Sequence, residues 1–163
     1  MSYQIIRPID ISLVISAYRG IEDKIQWLAD SKNNKQAGLQ YKEGEDPFTS
    51  ATGKLKKINN EKEYNCLNPL FKNTIFEDLI NEYHLYRTRL MWVEPKTCYS
   101  LHKDKTQRIH VPIMTNKDCM FLFPSEPLVH LPAGQVYSVD TRKTHTFCNF
   151  SEYARLHFLG CMD

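Results

Sequence analysis

The chain has 163 residues, of which 42% are hydrophobic and 25% are charged, and its formal net charge is +2. This size and composition suit one globular domain, residues 1–163, and no stretch approaches the roughly 20 apolar residues of a membrane-spanning helix. So small a charge gives no strong signal for nucleic-acid binding. Lys54, Lys56 and Lys57 could contact phosphates, but a solvated loop is the favoured interpretation. The N-terminus lacks a secretory signal pattern, which predicts a cytoplasmic protein.

The five cysteines are odd in number, widely spaced and without a CxxC pair: Cys66, Cys98, Cys119, Cys148 and Cys161. This pattern argues against a disulfide framework and against a zinc knuckle. The sequence therefore predicts buried, reduced thiols.

Residues 1–85 are expected to be helical and loop-rich, supporting the rest of the domain. Apolar spacing predicts a helix from Ile11 to a break at Gly20, continuing as a helical pattern over residues 21–29. The polar segment 31–66 is long for a structureless loop, so we expect a lid or substrate-facing segment, with a hairpin pairing residues 39–41 with 54–56. Thr74 and Glu77 form a capping-box pattern that predicts a helix ending near residue 84.

Residues 86–163 change character and read as strands separated by turns. Short apolar or alternating runs bounded by turn residues are found at 87–93, 97–102, 108–114, 119–123, 135–139 and 153–159. Six or more strands in under 80 residues predict a mainly β fold, a jelly roll or small barrel, with the N-terminal helices flanking one sheet.

His102, Asp104 and His145 are the candidate catalytic and metal-binding residues. Residues two apart on a strand project to one face, so His102 and Asp104 can bind the same ion. With the distant His145 they make the two-histidine, one-carboxylate set that holds non-heme Fe(II) and leaves one face open. Arg155 follows ten residues after His145, where it can hold the far carboxylate of an oxo-acid bound to that metal.

A second cluster is Arg108 and His110, which share a face of one predicted strand. Burying Arg108 or Arg155 among apolar strands is costly unless an anion meets the guanidinium. An internal ion pair is one explanation, and a bound dicarboxylate is the favoured one. His157, two residues after Arg155, faces the same side.

These residues carry a resemblance to a known family. The matching features are the segment 89–97, His102-x-Asp104, Arg108-x-His110-x-Pro112, Gly134-Gln-Val136, His145 and Arg155. Together, over residues 87–161, they resemble the aspartyl/asparaginyl β-hydroxylases and the related bacterial proline hydroxylases, members of the Fe(II)- and 2-oxoglutarate-dependent oxygenases. The resemblance implies a double-stranded β-helix, a cupin-like jelly roll whose core is residues 86–163.

The resemblance also implies roles for individual residues. His102, Asp104 and His145 would be the iron ligands, Arg155 would bind the distal carboxylate of 2-oxoglutarate, and Arg108 and His110 would contact its metal-proximal end. In the mammalian aspartyl hydroxylases the position of Asp104 is not a carboxylate. Asp104 restores the full set, as in the proline hydroxylases, and so favours hydroxylation over halogenation.

The expected function is a dioxygenase that uses Fe(II), 2-oxoglutarate and O2 to hydroxylate an amino acid side chain, either free or within a protein. One rival is an oxidative nucleic-acid demethylase with the same triad, which usually needs a broader basic surface. Another is a non-catalytic, cupin-like module that binds a metal or ligand. The sequence leaves the substrate and the oligomeric state open.

Overall fold

The computed structural model describes residues 1–56 and 59–163, so Lys57 lies outside the described residues, while Lys54 and Lys56 are exposed. Two antiparallel sheets that face each other form the centre of the fold. In chain order the strands are β1 Tyr3–Pro8, β2 Leu28–Ala29, β3 Lys35–Gly38, β4 Gln40–Tyr41, β5 Cys66–Leu67, β6 Tyr86–Val93, β7 Thr97–Cys98, β8 Gln107–Met114, β9 Cys119–Leu122, β10 Val129–His130, β11 Gln135–Val139, β12 Thr146–Asn149 and β13 Arg155–Met162.

The larger sheet has the strand order β1-β11-β8-β13-β6-β3-β2, and the smaller has the order β10-β9-β12-β7. A short pair, β4 with β5, forms a separate two-stranded sheet. This arrangement is a double-stranded β-helix, so the predicted mainly β jelly roll is confirmed. Helices α1 (Ile11–Arg19) and α2 (Ile75–Glu82) flank the larger sheet.

Alternation along the central strands divides the interior into two chemically different regions. On β13, Leu156 and Phe158 face the helices and join the larger apolar core. Arg155 and Leu159, on the opposite face, line a cavity between the sheets. Because side chains alternate with period two, one strand supplies both the core and the polar interior.

The helix predictions are partly confirmed. Asp10 caps α1 by accepting a hydrogen bond from the backbone of Ser12 at 2.9 Å, and Gly20 ends the helix as expected. The helical pattern over residues 21–29 is wrong beyond one 3-10 turn, Glu22–Lys24, because the chain then enters β2.

Helix α2 is correctly predicted, but its capping box is not formed. The hydroxyl of Thr74 donates to the carbonyl of Phe71 at 2.6 Å instead of accepting from the helix. The Glu77 carboxylate accepts from the backbone N–H of Asn73 at 2.6 Å.

The N-terminal half is more than a helical support. Strand β1 pairs with β11, and β3 pairs with β6, so residues from this half extend the larger sheet on both sides. The hairpin expected between 39–41 and 54–56 is also wrong, because β4 pairs with β5 at residues 66–67. A strand's partner depends on contacts remote in sequence, which local patterning does not reveal.

The expectation that all five cysteines are reduced is wrong for two of them. Cys98 and Cys148 form a disulfide between directly opposed positions of β7 and β12. Their adjacency follows from strand register across 50 residues, and spacing alone cannot show it. Among the described residues Cys66, Cys119 and Cys161 are free thiols.

Neither α-helix in the described part of the chain has the length and apolar character that a bilayer crossing would require.

Candidate metal and co-substrate site

The two histidines of the predicted triad are joined by their backbones. They form an antiparallel bridge, in which each residue's N–H donates to the other's carbonyl at 2.9 Å. Asp104 is fixed beside them because its N–H donates to the carbonyl of Thr141 at 2.9 Å. The structure therefore brings together all three residues that the sequence predicts as metal ligands.

Hydrogen bonds to backbone carbonyls orient both imidazole rings. Nδ1 of His102 lies 2.8 Å from the carbonyl oxygen of Ser100, and Nδ1 of His145 lies 2.9 Å from that of Lys143. A carbonyl only accepts, so each Nδ1 carries a proton, and in the neutral form of each ring the lone pair is on Nε2. This is the arrangement by which proteins orient metal-binding histidines.

The free Nε2 atoms face the carboxylate of Asp104. That of His102 is 3.9 Å from Oδ1, and that of His145 is 3.6 Å from Oδ2. One ligand atom from each residue lies within 4.8 Å of the others. Two imidazole nitrogens and one carboxylate oxygen in this grouping fit a divalent transition metal such as Fe(II).

The triad spans the rim and the interior of the fold. The side chain of His102 is 43% exposed, whereas those of Asp104 and His145 are 12% and 5% exposed. Burial lowers the pKa of His145, opposed by its hydrogen bond to the Lys143 carbonyl and by the charge of Asp104. His145 is therefore neutral at pH 7, the form that binds metals.

A cavity between the sheets begins at these histidines and ends among basic and aromatic groups. Its lining includes, besides His102 and His145, Met91, Tyr99, Arg108, His110, Phe121, Thr141, Phe147, Arg155 and Leu159. The predicted co-substrate residues Arg108, His110 and Arg155 thus share one cavity with the histidines.

Arg155 is only 2% exposed, and it has no acidic partner among the residues that the structure describes. In the described part of the chain its Nε has no hydrogen-bond partner, and Nη2 donates to Nδ1 of His157. Its guanidinium carbon lies 3.9 Å from the ring centroid of Phe147. Burial lowers the pKa of Arg155 to about 9, a measure of how poorly its charge is compensated.

His110 and His157 form a neutral pair behind the cavity. Their Nδ1 atoms are 3.5 Å apart, and burial lowers the pKa of both well below the usual value. Nε2 of His110 is buried without a partner among the described residues. Of the two histidines, His110 is the one that lines the cavity.

Arg108 differs from Arg155 because it forms an internal ion pair, which was the alternative to a bound dicarboxylate. Its Nη2 lies 2.9 Å from Oδ1 of Asp104 and 3.9 Å from Oε1 of Glu61. Glu61 also pairs with Arg87 and accepts from the hydroxyl of Thr106 at 3.2 Å.

Sequence reasoning missed Glu61 in this network. It lies in the polar segment 31–66, in the 3-10 turn Glu61–Glu63, and no local pattern distinguishes it from Glu63. Only burial distinguishes the two residues, because Glu61 is 7% exposed.

Comparison with known proteins gives a likeness of structure only. No family model matches the sequence, and no curated protein matches it either. The resemblance to the aspartyl/asparaginyl β-hydroxylases therefore stays a prediction.

Several solved structures are similar over nearly the whole chain. An oxidoreductase of the 2OG-Fe(II) oxygenase family from Burkholderia pseudomallei has a TM-score of 0.55 and 10% identity, covering 90% of this chain and 77% of that one. The viral collagen prolyl hydroxylase of Paramecium Bursaria Chlorella virus-1, solved as its 2OG complex, has a TM-score of 0.54 and 10% identity, covering 100% and 97%. A Pseudomonas putida prolyl-4-hydroxylase has a TM-score of 0.54 and 11% identity, covering 98% and 90%. At such identities the likeness establishes the fold.

Proposed function

We propose that this protein is an Fe(II)- and 2-oxoglutarate-dependent dioxygenase that hydroxylates an unactivated C–H bond of an amino acid side chain. One observation carries the proposal. His102 and His145, which cluster with Asp104, line a single cavity together with the uncompensated guanidinium of Arg155. A dicarboxylate such as 2-oxoglutarate matches both features. Its oxo-acid end can chelate a metal held by the triad, and its free carboxylate can pair with the guanidinium of Arg155.

The metal would be held by Nε2 of His102, Nε2 of His145 and the carboxylate of Asp104. Three ligands on one side leave positions for a co-substrate and oxygen. An Fe(II) ion bound there would supply the oxidation chemistry, in which 2-oxoglutarate and O2 become succinate and CO2 while a C–H bond becomes C–OH.

The protein's own residues would bind and orient the co-substrate. Arg155 would donate charge-assisted hydrogen bonds to the distal carboxylate, and its contact with His157 fixes the direction of the guanidinium. His110 and Arg108 would lie nearer the metal end. The rings of Phe121 and Phe147 line the cavity and would exclude water from the reacting groups.

The substrate class is supported by the structural neighbours. Two of the three are named prolyl hydroxylases, one of them a collagen prolyl hydroxylase. An amino acid side chain, free or in a polypeptide, is therefore the proposed target of this chain. The full set of two histidines and an aspartate favours hydroxylation.

The decisive experiment is an anaerobic titration of the purified protein with Fe(II) and 2-oxoglutarate. We expect the metal-to-ligand charge-transfer band of a chelated oxo-acid in the wild type and its loss in His145→Ala and Asp104→Ala. His84→Asn is the matched control, because His84 is an exposed histidine whose backbone φ of 50° lies in the left-handed range that asparagine tolerates.

Succinate release under air then separates an enzyme from a binding module. A charge-transfer band without succinate in the presence of amino acids and peptides would favour the cupin-like module. Salt-dependent binding of oligonucleotides would favour the demethylase. A folded wild type that takes up Fe(II) but shows no band would overturn the proposal.

A further inference from the structure

Arg89 is a second buried arginine that the proposed co-substrate does not use. It lies on β6 and is 3% exposed. Met91, two residues further along β6, lines the cavity. Since alternate residues of a strand share a face, Arg89 and Met91 point to the same interior.

The guanidinium of Arg89 has few partners. Nη1 donates to Oε1 of Gln36 at 3.0 Å, while Nε and Nη2 are buried without a hydrogen-bond partner among the described residues. Gln36 is itself shared, because its Oε1 also accepts from the backbone N–H of Gly53 at 3.1 Å. A neutral amide oxygen with two donors leaves the charge of Arg89 largely uncompensated.

The neighbouring acidic groups already have partners. Glu61 pairs with Arg87, and Asp104 lies 2.9 Å from Arg108. Burial lowers the pKa of Arg89 well below its usual value, and the positive charges of Arg87 and Arg108 lower it further.

Binding of Fe(II) and 2-oxoglutarate at the proposed site would leave the charge of Arg89 uncompensated. An Fe(II) ion brings two positive charges and 2-oxoglutarate brings two negative ones, so together they add no net charge. The distal carboxylate would compensate Arg155, and the guanidinium of Arg89 would still lack an anion. That missing anion is therefore expected to come with a third molecule.

The positive charge of Arg89 acts on residues that line the cavity. Its charge lowers the pKa of His110 and opposes the rise in the pKa of Tyr99, and both residues line the cavity. Because Arg89 shares a strand face with Met91, which lines this cavity, a molecule that bound Arg89 from the cavity would lie close to the candidate metal ligands.

We propose that Arg89 binds a carboxylate of the primary substrate, which is a small carboxylic acid such as a free amino acid. This inference rests on the proposed function and deepens it. A residue inside a polypeptide has no free α-carboxylate, so an arginine that binds the α-carboxylate selects the free acid over an internal peptide residue. The Nε and Nη2 donors form the edge of the guanidinium that a carboxylate binds through two parallel hydrogen bonds.

Acetate tests the inference without knowledge of the substrate. Protein saturated with Fe(II) and 2-oxoglutarate under anaerobic conditions is titrated with sodium acetate, and the melting temperature is followed. Acetamide serves as the neutral isostere, and sodium chloride controls for ionic strength. We expect a saturating rise of about 2–4 °C with acetate alone.

Variants assign the effect to one side chain. Arg89→Gln and Arg89→Met should lose the acetate response, and two variants guard against one failing to fold. Arg19→Gln, at an exposed arginine of α1, should keep it. A wild type that ignores acetate, or an acetate response that persists in both Arg89 variants, would overturn the inference.

The charge-transfer band separates this failure from failure of the proposed function. If the wild type forms no band, the proposed co-substrate site is wrong. If the wild type forms the band and the Arg89 variants lose it, Arg89 belongs to the 2-oxoglutarate site and the substrate role is refuted. A band in all of these proteins, with acetate binding only where Arg89 is present, supports the inference.

Discussion

His102 and His145 hold each other in place through a pair of backbone hydrogen bonds, each 2.9 Å long. The two residues are far apart in sequence, and this bridge places their backbones side by side. Each ring is further fixed by a hydrogen bond to a carbonyl two residues before it. The distance between the two nitrogen ligands is thus set by the fold before any ion binds.

Replacing Arg155 with methionine should stabilise the protein and remove co-substrate binding. At pH 7 the buried guanidinium is charged and has no carboxylate partner among the described residues, so an apolar side chain should raise the free energy of unfolding by about 1–4 kcal/mol. Loss of a charge-assisted contact should weaken 2-oxoglutarate binding by about 10- to 150-fold. Thermal melting and the anaerobic titration measure the two effects. Arg19→Met, at an exposed arginine, should change neither; lower stability in Arg155→Met would contradict this account.

Binding of 2-oxoglutarate should weaken above about pH 9. Burial lowers the pKa of Arg155 to about 9, and a bound carboxylate would raise it again. The complex therefore retains a proton that the ligand-free protein loses, so affinity should be flat just below pH 9 and fall as pH rises beyond it. Isothermal titration between pH 7.5 and about 10 would show the bend, and Arg155→Lys should move it. Affinity that stays constant to about pH 10 would mean that another group holds the distal carboxylate.

Glu61→Gln should weaken metal binding although Glu61 is not a proposed ligand. Nη2 of Arg108 is 2.9 Å from Asp104 and 3.9 Å from Glu61, so the charge of Glu61 limits how strongly Arg108 binds the Asp104 carboxylate. Without that charge Arg108 should compete better with the ion. By analogy with other groups that contact metal ligands, we expect a loss of about 10- to 100-fold in Mn(II) or Fe(II) affinity.

Two further variants separate this positioning role from general damage. Glu63→Gln changes an exposed glutamate of the same 3-10 turn and should leave metal affinity unchanged. Glu61→Asp keeps the charge and should recover part of the affinity. Equal losses in Glu61→Gln and Glu61→Asp would point to packing instead of charge.

Removing the disulfide should destabilise the small sheet. Cys98→Ser or Cys148→Ser opens a loop of about 50 residues and should lower the free energy of unfolding by about 2–4 kcal/mol. The melting temperature of the wild type should fall in reductant, while that of either variant should not. Cys66→Ser, at a free half-buried cysteine, is the control. A wild-type melting temperature that is insensitive to reductant would indicate that the two thiols are not joined.

Local pattern predicted the elements whose sequence periodicity matches their burial. Strand β11 has the predicted bounds, and β8 differs by one residue. In β8 the residues of the apolar core, Ile109 and Val111, alternate with the polar Arg108 and His110, which line the cavity. Strand β1 was missed because it lies at a sheet edge with mostly exposed or half-buried side chains. Strand β12 was missed because its residues are all buried, which removes the alternation.

The candidate site was predictable where chemistry alone identifies a residue. Two histidines and an aspartate at suitable spacing are distinctive, and the structure brings them within 4.8 Å. Glu61 and Arg89 were not predictable in this way. Their importance comes from partners remote in sequence, Arg108 and Gln36, and a glutamate or arginine on a surface would look the same in the sequence.

The position of β13 in the larger sheet has a consequence for how the protein is made. This strand follows all the others in the sequence, yet it lies between β8 and β6 and pairs with both. During synthesis from the N-terminus, those two strands must wait with unpaired edges until residues 155–162 leave the ribosome. Such a late, long-range closure predicts slow folding and a nascent chain that is prone to aggregation.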